Sequence, residues 1–122
     1  MQDAPRMFAD TVRWFSGADV PFAEMRAYDE RVPGEAARAT HAVEQVQVGG
    51  VDCIWLDRAN RAAGTILFLH GGAYVFGPGA GQWAWIGALC DATGMAALTP
   101  LYRRAPEHPF PAALDDALAV AT

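Results

Sequence analysis

The sequence predicts an α/β fold whose sheet is parallel in part. Residues 65–69, TILFL, and 95–101, MAALTPL, are short apolar runs with the composition of strands covered on both faces. A helical pattern over 82–93 separates them, the alternation expected of a strand–helix–strand unit. Ahead of them two strand-like segments, 42–48 and 51–57, meet at Gly49-Gly50, which reads as an antiparallel hairpin.

Taken in order, residues 5–16 place Met7, Phe8, Val12 and Phe15 at helical spacing between Pro5 and Gly17. Residues 21–31 repeat the pattern with Phe22, Met25 and Tyr28, and Pro33-Gly34 breaks the chain. Residues 1–40 therefore read as a pair of cap-like helices, either a packing arm or a lid over a pocket. In the hairpin, Val43, Val46 and Val48 stand among polar residues with one break in register, as expected of a strand pair with one wet face. Asn60 to Gly64 supply the next turn. The helix over 82–93 turns Trp83, Ile86 and Cys90 to one side and stops at Gly94. Pro100 belongs at the end of its strand. Residues 103–111, with three prolines, are irregular, and Pro111 opens a last helix with Leu114, Leu118 and Ala121 on its apolar face. Residues 41–122 thus form the sheet-bearing core.

At 52% hydrophobic residues, the 122-residue chain can bury a core of one domain's size. A net charge of −5 and the lack of a basic run argue against nucleic-acid partners. No apolar stretch is long enough to span a bilayer, and the N-terminus lacks a signal-peptide core, so a soluble, cytoplasmic protein is expected. Cys53 and Cys90 have no metal-ligand spacing and read as buried thiols; no metal is expected.

The chemistry concentrates in His70-Gly71-Gly72-Ala73-Tyr74, directly after the TILFL strand. Glycines there permit a sharp turn and leave backbone N–H groups able to face a developing negative charge. By itself the segment could equally be a plain glycine-rich or phosphate-binding turn. A second signature follows about thirty residues on, the segment 102–116, YRRAPEHPFPAALDD. The pair closely resembles the bacterial hormone-sensitive lipase family (family IV) of α/β-hydrolases. In that family a Y-R-x-A-P-E-x-x-F-P-A-A-x-x-D segment follows an H-G-G-[GA] loop. The match covers 41–122; the N-terminal helices fit the family's cap only in kind.

The resemblance implies a carboxylic ester hydrolase with a Ser-His-Asp triad, no cofactor and a small-molecule ester as substrate. It implies oxyanion donors at the N–H groups of Gly71 and Gly72, with Ala73 as a third where many members carry glycine. His70 is then a brace of the loop and not the triad histidine, and Tyr102 and Glu107 are candidate braces, or simple surface turn residues. Tyr74, Phe76, Trp83 and Trp85 are candidates for the acyl pocket, or simply core. The family's nucleophile stands on a G-x-S-x-G elbow after the next strand. Ser16, the one serine, sits in the first helical segment and has no elbow around it, and Cys90 has no glycine two places on. Neither is paired with a base, and none of His41, His70 and His108 matches the triad position. The expectation is a segment truncated before the elbow, with the triad beyond it. The alternative is a catalytically lapsed binding or assembly module. Lacking a fifth strand, the TILFL strand would present an apolar edge, to be covered by a missing C-terminal half or by a homo-oligomer.

Overall fold

The computed structural model describes residues 34–122. The helices expected within 5–16 and 21–31, Ser16 included, lie outside the described residues. From Gly34 the chain forms a 3-10 turn (Glu35–Ala37), strands β1 (Val43–Val48) and β2 (Val51–Leu56), and a 3-10 segment (Arg58–Ala63). Strand β3 (Thr65–Leu67), helix α1 (Ala80–Thr93), strand β4 (Ala96–Pro100) and helix α2 (Ala112–Ala121) complete it. The sheet order is β1-β2-β4-β3, antiparallel between β1 and β2 and between β2 and β4, and parallel between β3 and β4. This is the mixed sheet with helices that the apolar runs predict.

The hairpin turns at Gly49 and Gly50, with φ of 59° and 80° and Val48 opposite Val51. Two positive φ angles in a two-residue loop match the right-handed twist of the flanking strands. Gly49 also touches α2: a Cβ there would lie 2.5 Å from the Ala119 carbonyl oxygen.

Glu44, Gln45 and Gln47 of β1 stay exposed as the alternation predicts, but β2 does not keep a wet face. Ile54 and Leu56 of β2 join Trp83, Ile86 and Cys90 of α1 and Ala97 of β4 on one face. Val51 and Cys53 join Leu98 and Val120 on the other. With α1 on one side and α2 on the other, β2 is covered twice. The break in register of β1 follows: Val43 packs with the α1 layer, Val46 and Val48 with the α2 layer.

Two further expectations are corrected. The 65–69 run is not buried on both faces. Among the described residues β3 pairs only with β4 and forms an edge. Ile66 and Phe68 pack toward α1, while Leu67 and Leu69 point the other way and are 39% and 52% exposed. In α2, Leu114 and Leu118 are also largely exposed, and Ala112, Asp116 and Val120 face inward instead. Arg103 sets that rotation by seizing Asp116, and Val120 completes it against Val51 and Cys53.

A buried histidine ties the first turn to this frame. His41 Nδ1 lies 2.7 Å from Asp57 Oδ2, and Nε2 lies 3.6 Å from Asp91 Oδ2 on α1.

Candidate active site

Beyond β3 the ladder gives one more bond, Phe68 N–H to the Leu98 carbonyl at 2.9 Å, and the chain then leaves the sheet. Gly72, Ala73 and Tyr74 follow with φ of 132°, 56° and 62°. Two adjacent non-glycine residues in the left-handed region are costly, and such strain gathers where a loop is held for a purpose. Gly72 admits no side chain: a Cβ would meet the Phe76 carbonyl oxygen at 2.2 Å.

Three successive peptides of this loop have their carbonyls engaged. The His70 carbonyl accepts the Tyr102 hydroxyl. The Gly71 carbonyl lies 2.8 Å from His70 Nδ1 and 3.3 Å from Gln82 Nε2. The Gly72 carbonyl accepts the N–H groups of Val75 at 3.0 Å and Phe76 at 2.9 Å. In a trans peptide the N–H points opposite its C=O. Among the described residues, the N–H groups of Gly71, Gly72 and Ala73 donate to nothing. They border a cavity of about 340 Å³ lined by Leu69, His70 and 71–74 on one side and Ala113, Leu114 and Ala117 of α2 on the other.

The electrostatics of the loop are fixed by burial. His70 is 4% exposed and its ring stacks flat on Tyr102, centroids 4.1 Å apart. Burial lowers its pKa, outweighing the Gly71 carbonyl, so the ring is neutral at pH 7. Since a carbonyl only accepts, the proton sits on Nδ1. Burial, with Tyr74 nearby, raises the Tyr102 hydroxyl, which stays protonated as a donor.

The proline-rich segment holds the loop from outside. Ala105 N–H donates to the Tyr74 carbonyl at 2.9 Å, and Arg104 to the Gly77 carbonyl at 3.1 Å. Arg103 in turn grips Asp116 through its side chain at 2.9–3.1 Å and its backbone N–H at 2.8 Å. Burial pushes the Asp116 carboxyl up, but the hydrogen bonds and charge of Arg103, with His108 adding, outweigh it and hold the pKa low.

Of the residues singled out from the sequence, His70, Gly71, Gly72, Ala73, Tyr74 and Tyr102 converge on one cavity. Phe76 does not line it but donates its N–H to the loop. Trp83 and Trp85 do not line it either, correcting the pocket expectation. Trp83 is 2% exposed in the core under α1, and Trp85 is 62% exposed against the edge of Phe68. The reason is topological: α1 covers the opposite face of the sheet. Glu107 borders a separate hollow with Arg103, Arg104 and His108. Sequence reasoning missed Gln82, Arg104 and the Arg103–Asp116 pair as supports. The signal for the pair was present, as both residues are fixed positions of the 102–116 motif. Gln82 and Arg104 carried no signal.

Comparison with known proteins agrees with this fold. Residues 66–122 match the model of an alpha/beta hydrolase fold family. An acetyl-hydrolase of Streptomyces hygroscopicus is 45% identical over 74 residues, which are 61% of this chain and 25% of that protein. The crystal structure of EstE5 soaked with p-nitrophenyl butyrate superposes with a TM-score of 0.69 at 37% identity, over 87% of this chain and 36% of that one. A hormone-sensitive lipase from a metagenome library gives a TM-score of 0.69 at 27% identity, over 98% of this chain and 41% of its own. The chain thus spans a quarter to about two fifths of the length of these relatives.

Proposed function

We propose that the chain is part of a member of the hormone-sensitive lipase family of α/β-hydrolases and that its 70–74 loop is the oxyanion site of a carboxylic ester hydrolase. One observation carries the reading. Among the described residues the N–H groups of Gly71, Gly72 and Ala73 donate to nothing and border a cavity, while the carbonyls of the same three peptides are held. Fixed donors facing the place where charge develops stabilise a tetrahedral intermediate without reorganising; each such donor is worth about 2.7–4 kcal/mol in the transition state. An ester carbonyl enters the cavity, its oxygen takes these hydrogens, and the acyl group lies toward Tyr74 and Leu114.

The attacking group in this reading is a serine outside the 122 residues, with its histidine and aspartate also outside. Ser16 lacks an elbow, and His70 is buried neutral with Nδ1 committed to the loop. Further chain or a second copy covers the β3 edge.

Intact mass after exposure to a fluorophosphonate, beside an active esterase control, tests the assignment of the nucleophile. The expected result is no adduct and no hydrolysis of p-nitrophenyl butyrate by this chain. A stoichiometric adduct would overturn it, and peptide mapping would name the residue.

A further inference from the structure

Gln82 stands in the first turn of α1 and reaches across to the loop. Its Nε2 lies 3.3 Å from the Gly71 oxygen that His70 Nδ1 approaches at 2.8 Å. An amide oxygen at that place would repel the carbonyl, so the NH₂ end faces it. Gly77 closes the remaining side. A Cβ on Gly77 would lie 2.7 Å from the Gly71 oxygen, 3.0 Å from His70 Nδ1 and 3.5 Å from Gln82 Nε2.

We infer that Gln82 is a positioning residue for the oxyanion site, holding the Gly71 carbonyl toward α1 so that the Gly72 N–H faces the cavity. The inference rests on the oxyanion reading above and adds a side chain outside both sequence signatures. The peptide between Gly71 and Gly72 is a rigid plane, with its C=O and N–H on opposite sides. One hydrogen bond lets that plane swing about the bond; two from different directions fix it. His70 belongs to the loop itself. Gln82 is rooted in a helix whose next residue, Trp83, is buried in the core, so it refers the peptide to the rigid frame. Gln82 does not line the cavity and acts only through the backbone.

The test is triple-resonance NMR of the labelled 122-residue chain, reading the Gly71 carbonyl carbon through the Gly72 amide. Loss of a donor moves that carbon upfield. The expected result is an upfield shift in Gln82→Met, and in Gln82→Glu at neutral pH. In Gln82→Glu the wild-type shift returns on acidification, when the protonated carboxyl can donate again; a purely space-filling role would show no such return. An unchanged carbon in both variants overturns the inference. Should the variants fail to fold, the wild type still decides it: a nuclear Overhauser contact between the Gln82 side-chain amide and the Gly77 Hα is required, and its absence overturns the inference. Titration with sodium butyrate separates the two readings. In the wild type the Gly72 and Ala73 amides shift with added butyrate, and in Gln82→Met the Gly72 response weakens. If butyrate moves neither wild-type amide, the oxyanion reading fails, whatever the Gly71 carbon does. If the wild type responds and Gln82→Met responds equally, the oxyanion reading stands and the role of Gln82 falls.

Discussion

At the scale of single residues, the loop depends on what Gly72 lacks and on what Asp116 holds. Gly72→Ala sets a methyl 2.2 Å from a backbone oxygen at a φ of 132°, so the backbone must move. The expected cost is about 1–3 kcal/mol in urea unfolding, together with loss of the butyrate response at the Gly72 amide. Gly71→Ala is the control: its nearest neighbour would be Gln82 Nε2 at 3.8 Å, ordinary contact, and stability should hardly change. For Asp116 the sign follows from its lowered folded pKa. Its stabilisation is complete above the unfolded value near 3.8 and is lost as pH falls through the lower folded value. Asp116→Asn should therefore cost about 1–2 kcal/mol at neutral pH, the range for a charged hydrogen bond whose arginine partner is half in solvent, and nothing in strong acid. Unfolding free energies of both proteins across that range check this; a difference that persists in acid would contradict it. The glycine requirement was legible in the sequence, since an HGG run after an apolar strand calls for a tight turn. The Asp116 grip was not read, because helical periodicity ranks Asp as outward-facing whatever waits to bind it.

At the scale of elements, the two tryptophans of α1 look alike in sequence and differ in burial. Trp83 is in the core and Trp85 lies outside it with one aromatic neighbour. Trp83→Ala should destabilise by about 3–5 kcal/mol. Trp85→Ala should stay within about 0.5 kcal/mol, as surface substitutions do. Denaturant melts of the two variants decide it; equal losses would mean Trp85 is buried by something the described residues do not include. Trp83, Ile86 and Cys90 face the core as their spacing predicts, although apolar residues stand all around this helix and no single stripe dominates it. The phase of α2 was not readable. Its Leu114 and Leu118 compete with Val120 and an ion pair, and spacing does not decide between them.

At the scale of the whole molecule, β3 is an edge among the described residues, with Leu67 in it and Leu69 just beyond it exposed, and exposed Leu114 and Leu118 stand on α2. An apolar edge in water invites pairing with another chain. Sedimentation velocity should show this chain self-associating, and Leu67→Lys with Leu69→Lys should shift it toward monomer without lowering the melting temperature. A monodisperse wild-type monomer that melts cooperatively would contradict the expectation. The sequence by itself determined the class of fold, the turn at Gly49-Gly50, the order of strands and helices along 42–121, and the loop whose amides line the cavity. These rest on local chemistry: side-chain period, glycine, proline and a motif. Only the tertiary structure decided that β2 is covered twice, that α1 and its tryptophans sit across the sheet from the cavity, and that Gln82 reaches the Gly71 carbonyl. Those facts depend on which elements become neighbours, and neighbours far apart along the chain leave no period in the sequence to read.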